Sequence, residues 1–388
     1  MEYTKLKCIN QYKSESINPA KTPDTIFEMY SVPVYETGHP EYLRGDEIAS
    51  NKAVVQKDDI LLCKINPRIN RVWVVSNESD KQNIASSEWI VIRNSEYNPE
   101  FLAWYFRTPK FQKLMTSEVT GIGGSLTRAQ PKCVAEYPVP VMDRKKQDEI
   151  VNVLNKCKFV VDSRQKELLE LDDLIKARFV EMFGSIHDGR YDMKTLPEIV
   201  NDDKNSIKRG PFGGALKKDD FVEDGYLVYE QRHAIHNDFE YAKYYITQGK
   251  YEDMIGFKVI PGDLIISCSG VTLGRIAEVP EGAKEGIINQ ALLKLSLNPE
   301  VMLNTFFIQQ FRGEEIQEIL FGFSRGSGIP NMPSMSEVKA VKFICPPLEL
   351  QKQYCDFVNQ VDKSKVAIQA ALDKSQLLFD SLMQKYFG

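Results

Sequence analysis

Apolar and polar positions along this chain follow two rhythms. In the first, short β-branched runs at residues 60–65 and 71–75 are separated by Asn66-Pro67, the chemistry of strand, turn and strand. Residues 89–92, 225–229, 264–267 and 291–295 read the same way. The second rhythm begins near residue 145 and runs to 183 without a proline or glycine. Along it, Cys157, Val161, Arg164, Leu168, Leu171, Ile175, Arg178 and Met182 recur at alternating steps of four and three. The C-terminal stretch repeats that seam with Val361, Lys365, Ile368, Leu372, Ser375, Phe379, Leu382 and Tyr386. Such spacing predicts two long helices, each about 37 residues and roughly 55 Å, joined through a heptad seam. Val161, Leu168, Leu171, Ile175, Ile368, Leu372, Phe379 and Leu382 are the expected interface.

The chain is also written twice. Asp59-Ile60-Leu61-Leu62 returns 204 residues later as Asp263-Leu264-Ile265-Ile266, and Phe183-Gly184 as Phe387-Gly388. Asn98-Pro99-Glu100, followed by Phe101, Trp104, Tyr105 and Phe106, has its counterpart in Asn298-Pro299-Glu300 with Phe306 and Phe307. Both Asn-Pro-Glu motifs predict helix starts, with Asn as cap, Pro in the first turn and an acid facing the helix dipole. Gln147 matches Gln351, and the proline-containing ends Tyr137–Pro140 and Ile344–Pro347 correspond loosely. A period near 200 residues is too long for a solenoid unit. Each copy is therefore a mixed α/β domain with a helical appendage. The expected fold class is α+β: two globular domains in pseudo-two-fold tandem repeat, separated by two long helices in an antiparallel coiled coil. The boundaries fall at 1–145, 146–184, 185–349 and 350–388.

Composition adds limits. The chain has 388 residues, 43% hydrophobic and 27% charged, which is ordinary for a globular protein. No apolar run reaches the roughly 20 residues of a membrane span. The polar first ten residues do not resemble a signal peptide. Seven scattered cysteines, with no CxxC pair, suggest reduced thiols in the cytoplasm. His233 and His236 alone have ligand-like spacing. The net charge of −5 argues weakly against nucleic-acid binding, but it hides two basic strips. Residues 204–218 contain no acid, and Lys64, Arg68 and Arg71 stand unopposed between Asp59 and Glu78.

Several segments resemble the DNA-specificity subunits of Type I restriction-modification systems. They are residues 64–71 (Lys-Ile-Asn-Pro-Arg-Ile-Asn-Arg), 269–275 (Ser-Gly-Val-Thr-Leu-Gly-Arg) followed by 286–290 (Gly-Ile-Ile-Asn-Gln), 210–218 (Gly-Pro-Phe-Gly-Gly-Ala-Leu-Lys-Lys), and 346–351 (Pro-Pro-Leu-Glu-Leu-Gln). The first copy of the last pattern, residues 140–147, departs from it. Their order and duplication carry the resemblance across nearly the whole chain. It implies two target-recognition domains, each reading one half of a split site on double-stranded DNA, with the helices as spacer. It implies two methyltransferase subunits docked on the helices and motor-nuclease subunits in the larger assembly. S-adenosylmethionine, ATP and Mg would then belong to those partners, with no cofactor or metal of this chain's own.

Base edges are read by forked donors and amides, and phosphates by cations and backbone amides. In the first domain this singles out Lys64, Asn66, Arg68, Asn70 and Arg71, and the glycine-rich loop 121–128 with Ser125, Thr127 and Arg128. In the second it singles out Lys208, Arg209, Lys217, Lys218, Gln231, Arg232, Ser269, Thr272 and Arg275, and the loop holding Arg325, Ser327 and Asn331. For each basic residue, a solvated surface role is the competing reading. Tyr241, Tyr244 and Tyr245 fit a core or strand role better than a DNA contact. No catalytic residue is expected. The four Asn-Pro pairs (Asn18, Asn66, Asn98, Asn298) are never followed by a second proline, as a base-extruding methyltransferase motif would need. The glycines near 121 miss the spacing of a nucleotide loop, and Glu337-Val338-Lys339 is half a nuclease motif that chance supplies easily. Two other readings stay open: the specificity subunit of a related cleave-both-sides Type II system, and a coiled-coil scaffold that binds no DNA.

Overall fold

Without a helix breaker, the two long segments fold as continuous helices, Arg144–Phe183 and Leu348–Phe387, of 40 residues each. These and all other elements come from a computed structural model that describes residues 2–120, 127–212, 214–322 and 330–388. Asp143 starts the first helix by accepting the Lys146 N–H at 3.0 Å, which does the work that Pro346-Pro347 does before the second. Gly184, at φ +72°, ends the first. The seam faces inward as the heptads predict. Val161, Ile175, Val361 and Leu372 are buried, and Leu168, Leu171, Ile368, Phe379 and Leu382 are half-buried. Neighbours off the seam, such as Leu169, Val366 and Leu377, are exposed.

The chain divides into two units, residues 1–165 with 370–388, and residues 166–369. Each long helix therefore contributes one portion to each unit. In the first unit, the Arg164 guanidinium reaches across to Ala371 O at 2.6 Å and to Ser375, and Cys157 faces Ser375 O. In the second, Lys365 pairs with Asp172 at 2.6 Å, and the Tyr354 hydroxyl donates to Ile175 O at 3.2 Å. Partner numbers fall on one helix as they rise on the other, so the helices run antiparallel.

The first unit holds a five-stranded sheet in the order Ser16–Ile17, Lys52–Val54, Gln82–Ala85, Ile26–Tyr30, Glu41–Arg44, with Ile26–Tyr30 and Gln82–Ala85 parallel. Beside it lies a three-stranded antiparallel sheet, Val72–Val74, Ile60–Cys63, Trp89–Ile92. The β-branched and aromatic residues of these strands bury around Tyr30, Trp73 and Trp89. A larger core joins Pro99–Phe106 to the long helices. Phe387 packs 5.4 Å from Phe101, and Phe379 packs 5.5 Å from Trp104.

The second unit repeats the plan. A parallel pair, Tyr226–Tyr229 with Gly286–Ile288, centres a five-stranded sheet. An antiparallel sheet orders Ile207–Arg209, Leu292–Leu295, Leu264–Ser267, Ile276–Glu278. Small ribbons clasp the start of each globular part to its end, Glu2–Lys5 with Pro138–Val141 and Met193–Thr195 with Lys342–Ile344.

Repeated residues do repeated jobs. Asp59 is fully buried, accepts the Gln56 N–H and is gripped by Arg93 at 2.6 Å. Asp263 accepts the Ile260 N–H and faces Lys294 at 3.6 Å. Gln147 accepts the Asn98 N–H at 2.8 Å and donates to Met142 O. Gln351 accepts the Leu303 N–H at 3.0 Å and donates to Val301 O and Pro346 O. The Asn-Pro-Glu motifs diverge. Asn98 caps Pro99–Phe106 as predicted, whereas the second copy forms only a turn and its helix begins at Asn304. In both units the buried glutamine accepts the N–H of the residue before the helix, Asn98 in the first and Leu303 in the second, so Asn298-Pro299-Glu300 lies one turn ahead of the helix start.

Candidate nucleic-acid interface

In the first unit, strands Ile60–Cys63 and Val72–Val74 form a hairpin whose loop is the basic segment 64–71. Asn66 takes φ +46°, a conformation that Asn tolerates better than most residues. The loop closes by Ile69 N–H to Asn66 O at 3.0 Å. It is held from outside by the chain leaving the glycine-rich segment. Asn66 N–H donates to Thr127 O at 2.8 Å, Ala129 N–H donates to Lys64 O at 2.8 Å, and Ile65 bridges Arg128. Two segments picked separately from the sequence thus lie side by side.

Their side chains differ in availability. Arg68 is exposed and Lys64 half-exposed. The Asn70 amide is spent on Phe106 O at 3.2 Å, and Thr127 is buried. Arg71 lies 3.9 Å from Glu36, and its Nε, though buried, has no hydrogen-bond partner among the described residues. Arg128 is half-exposed and pairs with Glu88 at 3.2 Å. Ser125 lies outside the described residues.

The second unit builds the same frame with other side chains. The hairpin between Leu264–Ser267 and Ile276–Glu278 has Gly270, φ +78°, where the first has Asn66. Gly270 N–H donates to Pro330 O, Met332 N–H donates to Cys268 O, both at 2.8 Å, and Ser269 bridges Asn331. The buried Ser267 hydroxyl donates to Thr272 O and accepts the Arg275 N–H, pinning the loop across its base. Gln231 reaches the same loop, its amide donating to Ser269 Oγ at 3.2 Å while its buried Oε1 has no partner among the described residues.

Arg232 stacks 4.5 Å over Tyr241 and pairs with Asp238 at 3.4 Å. Lys208 and Arg209 lie on Ile207–Arg209, each over an aromatic ring, Phe257 at 4.7 Å and Phe212 at 5.7 Å. Gly210 follows because any side chain would strike Asn289 O, 1.8 Å from the position of a Cβ. Lys217 and Lys218 are exposed. Arg325 and Ser327 lie outside the described residues. Tyr245 is a strand residue and Tyr244 stacks on Phe221 at 4.7 Å, as a structural role requires.

Sequence reasoning missed three features of these loops. Glu88 carries no signal, because its partner Arg128 is 40 positions away. Phe212 and Val271 are exposed apolar residues, Val271 almost completely, each within a segment noted for its other residues. The His233 ring is used up inside the fold. Its Nδ1 accepts the Glu230 N–H and its Nε2 faces Tyr241 O at 2.9 Å. Among the described residues, no group of three or more His, Cys, Asp or Glu side chains could hold a metal ion. Burial pushes the Cys268 thiol up to about 12 and raises that of Cys63, so both stay protonated at neutral pH.

What the arrangement offers is a pair of rigid hairpin loops, each braced by a second segment and carrying guanidinium, ammonium and amide groups on fixed strands. Such groups bind phosphates and base edges. Residues 211–376 match the family model for the Type I restriction modification DNA specificity domain. No curated protein matches the chain. A solved chain from work described as the structural basis underlying complex assembly and conformational transition of the type I R-M system aligns at TM-score 0.60 and 18% identity, over 100% of this chain and 97% of that one. The Type-I restriction-modification system S subunit from M. genitalium aligns at TM-score 0.59 and 14% identity, over 100% and 96%. The HsdS subunit from Thermoanaerobacter tengcongensis aligns at TM-score 0.44 and 17% identity, over 100% and 96%. The first two alignments, at TM-scores of 0.60 and 0.59, show that the fold is that of a Type I specificity subunit. The resemblance read from the sequence agrees with that fold, and residues 211–376 are similar to the Type I DNA specificity domain. No helix among the described residues is long and apolar enough to cross a membrane.

Proposed function

We propose that this chain is the sequence-reading, non-catalytic subunit of a Type I restriction-modification complex in the cytoplasm. Each unit reads one half of a bipartite site on double-stranded DNA. The helix pair sets the unread gap between the halves and offers docking surfaces to two methyltransferase subunits, with motor-nuclease subunits joining the assembly. S-adenosylmethionine, ATP and Mg are then bound by those partners. Lys64, Arg68, Arg71 and Arg128 act in the first unit, and Lys208, Arg209, Gln231 and the loop from Ser269 to Arg275 in the second.

The observation that carries this reading is the specificity-domain match over residues 211–376, on a fold that presents the same braced hairpin in both units. Loops alike in backbone and unlike in side chain suit two readers of different bases. Methylome sequencing of cells with and without the protein tests it. A bipartite methylated motif present only with the protein is expected, and an unchanged methylome sinks the proposal. Binding by the assembled complex should also weaken steeply with salt, as phosphate contact requires and a DNA-free scaffold does not.

A further inference from the structure

We propose that Glu88 and Arg128 act together as a base-reading pair in the first unit, taking a G·C base pair with guanine toward Arg128 and cytosine toward Glu88. This rests on the DNA-specificity reading above and deepens it by one named position. Three observations carry it. First, the pair stands on the braced hairpin: Lys64 N–H donates to Glu88 O at 3.0 Å, and Arg128 lies on the strand that bridges Ile65. Second, among the described residues Arg128 pairs with Glu88 Oε1, at 3.2 Å, and Glu88 Oε2 is buried without a hydrogen-bond partner on a side chain that is 26% exposed. The Arg128 side chain is 51% exposed, so most of its fork remains available.

Third, the fold does not need the pair. The same backbone bonds in the second unit, Cys268 N–H to Ala291 O at 2.9 Å and the bridge from Ser269 to Asn331, carry Ala291 and Asn331 in place of Glu88 and Arg128. The frame thus holds its shape without either charge.

The chemistry favours a base edge over a phosphate. A phosphate approaching Arg128 would meet the Glu88 carboxylate beside it. In the major groove guanine offers two acceptors, O6 and N7, and its partner cytosine offers the N4 amino donor next to them. A guanidinium fork beside a carboxylate presents the complementary order. An A·T pair sets the adenine amino group against the fork, and a T·A pair gives the fork one acceptor and a methyl group.

The test is methylome sequencing of cells carrying R128K or E88Q in place of the wild-type chain. Lysine keeps the charge for a phosphate but loses the fork, and glutamine keeps the shape but adds a donor. One G·C position in one half-site should become degenerate, with discrimination falling by roughly tenfold to a hundredfold, while the other half-site stays intact. An unchanged motif, or an even fall at all sites with an unchanged melting temperature, overturns the pair. If E88Q lowers the melting temperature, R128K, a change on an exposed side chain, decides. Absence of any motif with the wild-type chain would instead defeat the DNA-specificity reading itself.

Discussion

Buried polar side chains fix how the segments of each unit meet. Gln351 is fully buried and satisfies Leu303 N–H, Val301 O and Pro346 O at once. Gln351→Ala would strand those groups, so a loss of about 3 kcal/mol is expected, at 1–3 kcal/mol per buried unsatisfied group with partial relaxation. Urea unfolding of the purified chain measures it. Glu28 is a second such residue. Burial alone would raise its pKa, but donors from Ser79, the Glu78 N–H and the Tyr30 hydroxyl outweigh burial and leave it below its ordinary value of 4.5. A carboxylate depressed by folding stabilises the protein above the unfolded-state pKa and loses that contribution as pH falls through the folded value. Melting temperature should therefore drop with acid below about pH 4.5, and less steeply in Glu28→Gln. The repeat anticipated Gln147 and Gln351 as equivalent. Nothing in the sequence marked Glu28, because its donors Glu78 and Ser79 lie some 50 positions away and the matching position of the second unit carries apolar Leu227.

At the scale of elements, the strongest signals in the sequence were those with a period. The seam positions are buried or half-buried while most residues between them are exposed, because a 40-residue helix with one covered face needs apolar side chains every three or four positions. The first hairpin was equally legible, from β-branched runs on either side of Asn66-Pro67, whereas only one strand of the second, 264–267, was. Helix starts were less so. Asn298-Pro299-Glu300 has the composition of a cap, but the buried Gln351 meets the chain at Leu303 and the helix starts there. Leu372→Ala should cost about 2–5 kcal/mol, read as a lowered urea midpoint, since Leu372 is buried on the seam. Leu377→Ala, off the seam and 72% exposed, should stay within about 0.5 kcal/mol of wild type.

At the scale of the molecule, division of labour between the units makes two predictions. Exchanging the first globular part, residues 1–145, for another recognition domain should change one half-site of the methylated motif and leave the other. A change in both halves would defeat the two-reader model. Adding one heptad to both helices should lengthen the unread gap by about three base pairs, seven residues at 1.5 Å against 3.4 Å per base pair, with both half-sites preserved. Alone, the sequence determined the duplication, the two uninterrupted helices with their seam, and the first hairpin with its basic loop. These are local periodicities and repeated words, written in the residues that form them. Only the tertiary structure decided that Arg128 meets Glu88, that Gln231 reaches Ser269, and that Phe387 closes the core of the first unit. Such pairings join residues far apart in the chain at isolated positions, and an isolated position leaves no period to read.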